Sequence, residues 1–215
     1  MTMAVVGSLL FGTMACGGDE DRDGTAEVAG KQLCGGEVVS AEASRALELI
    51  TGSSKFEASG KRSTVRRAAE DLAEAFPIPS VARKDICRIF GVGGTPGTSL
   101  RISWRVADGL PSDPSRPEAT VLDMGERTVA QVDSAYVQFA CRSDRLSRSS
   151  RVGRISISVW HRNKRPEPEG DLETVKRAYV TVAHSFALAM AKELGCEKNG
   201  GLPERPVLDP AQPSA

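Results

Sequence analysis

The longest periodic signal in the chain runs from Asp171 to about Leu194, where Leu172, Val175, Tyr179, Val182, Phe186, Met190 and Leu194 recur at three- and four-residue steps. That spacing makes one apolar stripe on an α-helix, and the stripe needs a sheet to cover. Two shorter helices are predicted earlier. Ser40 can cap one that runs through about Thr51, with Ala43, Ala46, Leu47 and Ile50 on one face and Gly52 as its stop. A second fits Ser63 to Phe76, with Val65, Ala68, Ala69, Leu72 and Phe76 at helical spacing and Pro77 ending it. Between these helices and the long one the period changes. Ile86 to Val92, Leu100 to Val106, Ala119 to Met124, Ala135 to Cys141 and Val152 to Trp160 are β-branched or alternating, with Gly, Pro and Ser clusters between them. The alternation is strict in Leu100, Ile102, Trp104 and Val106, and again in Ile155, Ile157 and Val159. Strands of this kind bury one face and pair antiparallel. The predicted fold class is therefore α+β, an antiparallel sheet of about five strands packed by N-terminal helices and a long C-terminal helix.

The first residues follow another rule. From Met1 to Ala15 the chain is uncharged and mostly apolar, and it then changes abruptly to Cys16-Gly17-Gly18 and the acidic run Asp19-Glu20-Asp21-Arg22-Asp23. The apolar stretch is too short for a membrane span, which needs about 20 residues. It suits the apolar region of a secretory signal peptide. The junction resembles a bacterial lipobox, where processing adds a diacylglycerol to a cysteine and cleaves just before it. Ala15 and Gly17 fit that pattern, whereas Thr13 stands where an aliphatic residue is usual and no Lys or Arg precedes the apolar run. The resemblance implies lipidation at Cys16, with palmitate as a representative acyl chain, and a place on the extracytoplasmic face of the cell membrane. The competing reading is a cytosolic protein whose first element happens to be apolar.

Composition bears on this placement through cysteine. Of the five cysteines, Cys16 is at the junction, and Cys34, Cys87, Cys141 and Cys196 are spread through the body. Lipidation accounts for the odd one, and the other four match no CxxC-type zinc or redox spacing. Two structural disulfides in an oxidising compartment follow, the alternative being four reduced buried thiols. Three pairings are open, and the one taken forward joins Cys34 to Cys87 and Cys141 to Cys196. The expected organisation is a signal peptide over 1–15, the lipidated Cys16 with a flexible acidic tether over 16–31, one domain over 32–197, and a disordered Pro-rich tail over 198–215. With 28 basic and 28 acidic residues the chain is neutral, so charge gives no reason to expect nucleic acid as a partner.

Motifs that carry chemistry are few. Asp19, Asp21, Asp23 and Gly24 copy the start of an EF-hand loop, but its twelfth position falls on Gly30 instead of a bidentate Glu. The glycine-rich stretch Gly91 to Thr98 leads into a strand pattern and lacks the Lys of a P-loop, so it reads as a hairpin connection. Arg142, Arg145, Arg148, Arg151 and Arg154 recur every third residue, and Arg162, Lys164 and Arg165 follow. They form either a patch for an anionic partner, such as an envelope polymer or an acidic protein face, or a solvated hairpin whose arginines pair with carboxylates elsewhere. There are two histidines, His161 and His184, both expected in solvated, non-ligand roles. HExxH, GxSxG and SxxK do not occur. No catalytic residue, metal ligand or cofactor is assigned.

Taken as a whole, the chain is similar to uncharacterised lipoproteins of actinobacteria. The similarity lies in LCGG at Leu33 to Gly36 before the RALELITG helix, in FAC ending at Cys141, and in ELGCE at Glu193 to Glu197 followed by Leu202-Pro203. It implies an address and a fold, with no reaction attached. The expected function is that of a membrane-anchored extracytoplasmic lipoprotein that binds a ligand or partner without catalysis, across the sheet face or through the arginine-rich hairpin. The alternative is an envelope-acting hydrolase or transferase with an unrecognised site.

Overall fold

The computed structural model describes residues 26–76, 83–93, 99–109, 116–146, 152–162 and 171–211. Cys16, the apolar segment before it and the EF-hand-like run lie outside the described residues.

The α+β expectation holds. Strands β1 (Glu27–Val28) and β2 (Phe56–Glu57) form a small antiparallel pair. The main sheet contains β3 (Lys84–Phe90), β4 (Ser99–Val106), β5 (Thr120–Leu122), β6 (Arg127–Ala130), β7 (Ser134–Cys141) and β8 (Gly153–His161). Its spatial order is β3-β4-β8-β7-β6-β5, antiparallel throughout. Six strands stand where about five were expected, because the four-residue β6 is too short to display a period.

The helices start and stop as their end residues dictate. In α1 (Ala41–Thr51) the Ser40 hydroxyl accepts the Ala43 N–H, and Gly52 closes the helix at φ +69°. In α2 (Val65–Ala75) the cap is Thr64, whose hydroxyl accepts the Arg67 N–H. Asp171 caps α3 (Leu172–Leu194), accepting from Glu173 and Thr174. This helix lies across β6, β7 and β8, while α2 covers β3 and β4, and both α1 and α2 pack on α3.

Strand alternation then sorts the sheet into two faces. Leu100, Ile102 and Trp104 of β4, Val137 and Phe139 of β7, and Ile155, Ile157 and Val159 of β8 share one buried cluster with Tyr179, Val182, Phe186 and Met190 of α3. Burial of such a side chain is worth about 1.5–3 kcal/mol. The disulfides join Cys34 to Cys87 and Cys141 to Cys196, with Cα–Cα distances of 5.8 and 4.9 Å. One ties the segment before α1 to β3, and the other ties the end of β7 to the end of α3.

Both expected domain boundaries move outward. Residues 27 and 28, assigned to the tether, pair with β2. Residues 198–211, assigned to the tail, fold back on the sheet. Leu202 is buried, Leu122 bridges Pro210, and the Ala211 N–H donates to the Val121 carbonyl at 2.8 Å. The Pro and Gly content that suggested disorder serves a tight left-handed turn, with Lys198, Asn199, Gly200 and Gly201 all at positive φ. The returning segment also covers the β5 edge, which protects it from pairing with another chain.

A Cβ at Gly200 would meet Phe139 Cδ2 at 2.6 Å and the Ala140 carbonyl oxygen at 2.9 Å. Gly200→Ala is therefore expected to lower stability by about 1–3 kcal/mol in urea unfolding. An unchanged midpoint would show that the segment does not pack there.

Candidate functional site

The outer face of the sheet, turned away from the helices, is polar by sequence alternation. Register sets three cross-strand rows on it. Arg88, Arg101, Trp160 and Ser134 form one row, and Asp85, Ser103, Ser158, Tyr136 and Val129 the next. Arg105, Ser156, Gln138 and Arg127 form the third. The face is thus built mainly of arginine and serine, with Trp160 and Tyr136 as its aromatic residues.

Its two ends differ. Near the third row the Gln138 side-chain amide donates to the Gly109 carbonyl at 2.8 Å and to Glu126 at 3.3 Å, and Arg154 Nε donates to Glu126 at 3.0 Å. This network closes the surface, and Gln138 and Ser156 are buried although they point away from the core. At the other end lies a cleft of about 250 Å³, lined by Arg83, Arg116, Asp133, Ser134, Tyr136, Ser158, Trp160 and His161, among others.

The charges around the cleft are unevenly compensated. Arg101 bonds Asp85 through Nε and lies over the Trp160 ring at 5.3 Å, while Asp85 also takes Arg88 at 3.2 Å. Arg116 pairs with Asp133 at 3.2 Å. Among the described residues Arg83 has no ion-pair partner. Burial, and then the neighbouring charges of Arg105 and Arg101, push the Arg83 pKa below the ordinary arginine value. Trp160 Nε1 is buried without a hydrogen-bond partner among the described residues. Asp133 is the one carboxylate among the lining residues, and the Ser134 hydroxyl lies 3.0 Å from both it and Gln131.

A larger hollow of about 740 Å³ lies beside the Cys34 turn, lined by Lys61, Arg66, Lys192, Glu37 and Glu193 among others. Its charges are of both signs, Arg66 stands 4.0 Å from Glu193, and no aromatic residue lines it among the described residues. A balanced, wide, aromatic-free surface gives a ligand little to orient on, so the smaller cleft is the stronger candidate.

Two of the three described members of the arginine run predicted as an anionic-partner patch, Arg145 and Arg154, have their guanidinium groups engaged within the chain. Arg145 donates to the Glu193 carbonyl near the C-terminal end of α3, where a cation suits the helix dipole. Arg154 is half-buried on Glu126, and the Arg142 carbonyl accepts the Glu197 N–H at 2.9 Å beneath an exposed side chain. Arg148 and Arg151 lie outside the described residues. The arginines around the cleft went unnoticed in the sequence because they come from different strands and loops, and only register assembles them.

His184 corrects an expectation. It is buried, with its ring Nε2 2.8 Å from the Pro203 carbonyl, because the returning C-terminal segment covers the side of α3 that periodicity assigned to solvent. Ser185 beside it donates to the Val38 carbonyl at 2.7 Å and so makes no nucleophile–base pair with His184. His161 ends β8, one residue past the predicted strand, and lines the cleft half-buried. No helix among the described residues is long and apolar enough to cross a membrane, and among them no cluster of three or more His, Cys, Asp or Glu is placed to hold a metal.

No family model matches the chain, and neither a curated protein nor a solved structure matches it.

Burial lowers the His184 pKa, outweighing the Pro203 bond and the charges of Glu204 and Glu42, which act to raise it. The unfolded chain thus binds this proton more tightly. The stabilising effect is fully present above about pH 6.5 and is lost as pH falls toward the folded-state value. Urea unfolding between pH 7 and pH 5 is expected to show this loss, and His184→Gln to remove that part of the slope. An identical slope in the variant would reject the assignment.

Proposed function

We propose that the chain is an exported lipoprotein, anchored through Cys16 to the extracytoplasmic face of the cell membrane, whose folded domain binds a ligand or envelope partner without catalysis. The observation that carries the export reading is the pair of buried disulfides, which use every cysteine except Cys16. Bonds of this kind persist in oxidising compartments, and the leftover thiol is the one at the lipobox-like junction.

Binding is favoured over hydrolysis or group transfer by what the cleft offers. General acid–base work on a sugar or ester calls for two groups with separated proton affinities. Among the described lining residues the one carboxylate, Asp133, is held by Arg116, and the aromatic rings and arginines that surround it are binding elements. The sheet face is thus the better of the two surfaces for a partner, since the guanidinium groups of Arg145 and Arg154 on the hairpin already have internal bonds.

Metabolic labelling with a radioactive fatty acid is expected to mark the wild-type protein and leave Cys16→Ala unlabelled; equal labelling of both defeats the anchor. Mass mapping of the exported protein without reductant is expected to find Cys34 with Cys87 and Cys141 with Cys196, and free thiols at those four positions would remove the basis for export.

A further inference from the structure

Two guanidinium groups reach the cleft from separate segments. Arg83 precedes β3, and Arg116 precedes β5 in the connection from β4. The same cleft is lined by the rings of Trp160 and Tyr136, diagonal neighbours across the β7–β8 pairing, and by Ser134 and Ser158, which stand opposite them. The charges of Arg105 and Arg101 also act on Arg83, so the field around that guanidinium is positive. These parts ask different things of a ligand. Each guanidinium offers up to five N–H donors in a fixed fork, matching a carboxylate or phosphate. An aromatic ring packs against the C–H face of a pyranose, and serine hydroxyls exchange hydrogen bonds with sugar hydroxyls. A volume of about 250 Å³ lies below that of sites for drug-sized molecules, roughly 300–1,000 Å³, and suits a single ring with its charged substituent.

We infer that the cleft holds one phosphate-bearing sugar unit, its phosphate between Arg83 and Arg116 and its ring against Trp160 and Tyr136. The inference rests on the reading of the outer face as a binding surface and names what that surface takes. Phosphate is preferred to carboxylate because arginines from two directions supply more donors than the two oxygens of one carboxylate accept. Arg83 is the principal anchor, since its charge is uncompensated within the described chain, whereas Arg116 shares itself with Asp133. Ligand phosphate next to Arg83 also relieves the repulsion from Arg101 and Arg105.

The test is calorimetric titration of the full chain with glucose 6-phosphate, glucose and inorganic phosphate. The sugar phosphate is expected to bind at least about tenfold more tightly than either half alone. Arg83→Gln and Trp160→Ala are each expected to weaken it by about tenfold or more with an unchanged melting temperature for the Arg83 variant. Arg142→Gln, on the hairpin, is expected to leave it unaltered. A methyl phosphodiester of the same sugar separates the two sources of this chemistry: tighter binding of the diester identifies a unit of a polymer, and tighter binding of the monoester a free sugar phosphate. Three results overturn the inference. Glucose binding as tightly as its phosphate would leave a binding cleft without anion recognition. Loss in Arg142→Gln but not in Arg83→Gln would move the site to the hairpin. Absence of saturable binding to any probe removes the sugar phosphate, while the fatty-acid and thiol experiments judge export and anchoring separately.

Discussion

The rest of the structure depends on the burial of α3 around nearly its whole circumference. A helix with one apolar stripe covers one surface. This one buries Tyr179, Val182, Phe186 and Met190, and on its other sides Ala183, Ala187, His184 and Ser185 as well. The polar members of that second set are bonded to distant parts of the chain. Ser185 donates to the Val38 carbonyl and accepts the Ser40 N–H at 3.0 Å, which fixes the start of α1. His184 meets the Pro203 carbonyl and so holds the returning C-terminal segment. Lys176 reaches Thr120 of β5 at 3.1 Å. Removing any partner leaves a buried polar group unmatched, at a cost of about 1–3 kcal/mol. One helix thus connects the sheet, the N-terminal helices and the C-terminus.

This arrangement frees part of the sheet for recognition. The inner face carries the apolar side chains of β4, β7 and β8 against α3, and the disulfides fasten that layer from both ends. The outer face is stabilised at one end by the Glu126, Gln138 and Arg154 network. At the other end arginines and aromatic rings surround a cleft in which Arg83 has no ion-pair partner among the described residues. Surplus positive charge costs stability unless something offsets it. Its presence on an otherwise neutral chain is why the cleft, and not the wider hollow near Cys34, is read as a place for an anion.

Local signals in the sequence were legible wherever the physics is local. The Ser40 cap, the Gly52 stop, the extent of the long helix from Asp171 and the alternation in β4 and β8 depend on residues within a few positions, and the structure repeats them. The second helix, read as Ser63 to Phe76, spans Val65–Ala75 with Thr64 as its cap. What escaped was set at long range. β6 is recognisable only beside β5 and β7, between which it pairs. His184 looked solvated because its cover comes from residues beyond the end of the helix. Residues 198–211 read as a tail because proline and glycine mark irregular backbone and say nothing about whether that backbone is packed. The hairpin arginines stand out by their regular spacing, whereas Arg83 and Arg116 come to one cleft only through the pairing of the strands and the β4–β5 connection.

Native-state hydrogen exchange of the central α3 amides, Val180 to Ala187, tests the central claim most directly. If α3 is enclosed by sheet, helices and C-terminal segment, these amides exchange only by global unfolding, with an opening free energy equal to that from denaturant unfolding. Opening several kcal/mol below the global value would show that α3 detaches on its own, and would contradict its role as the connecting element.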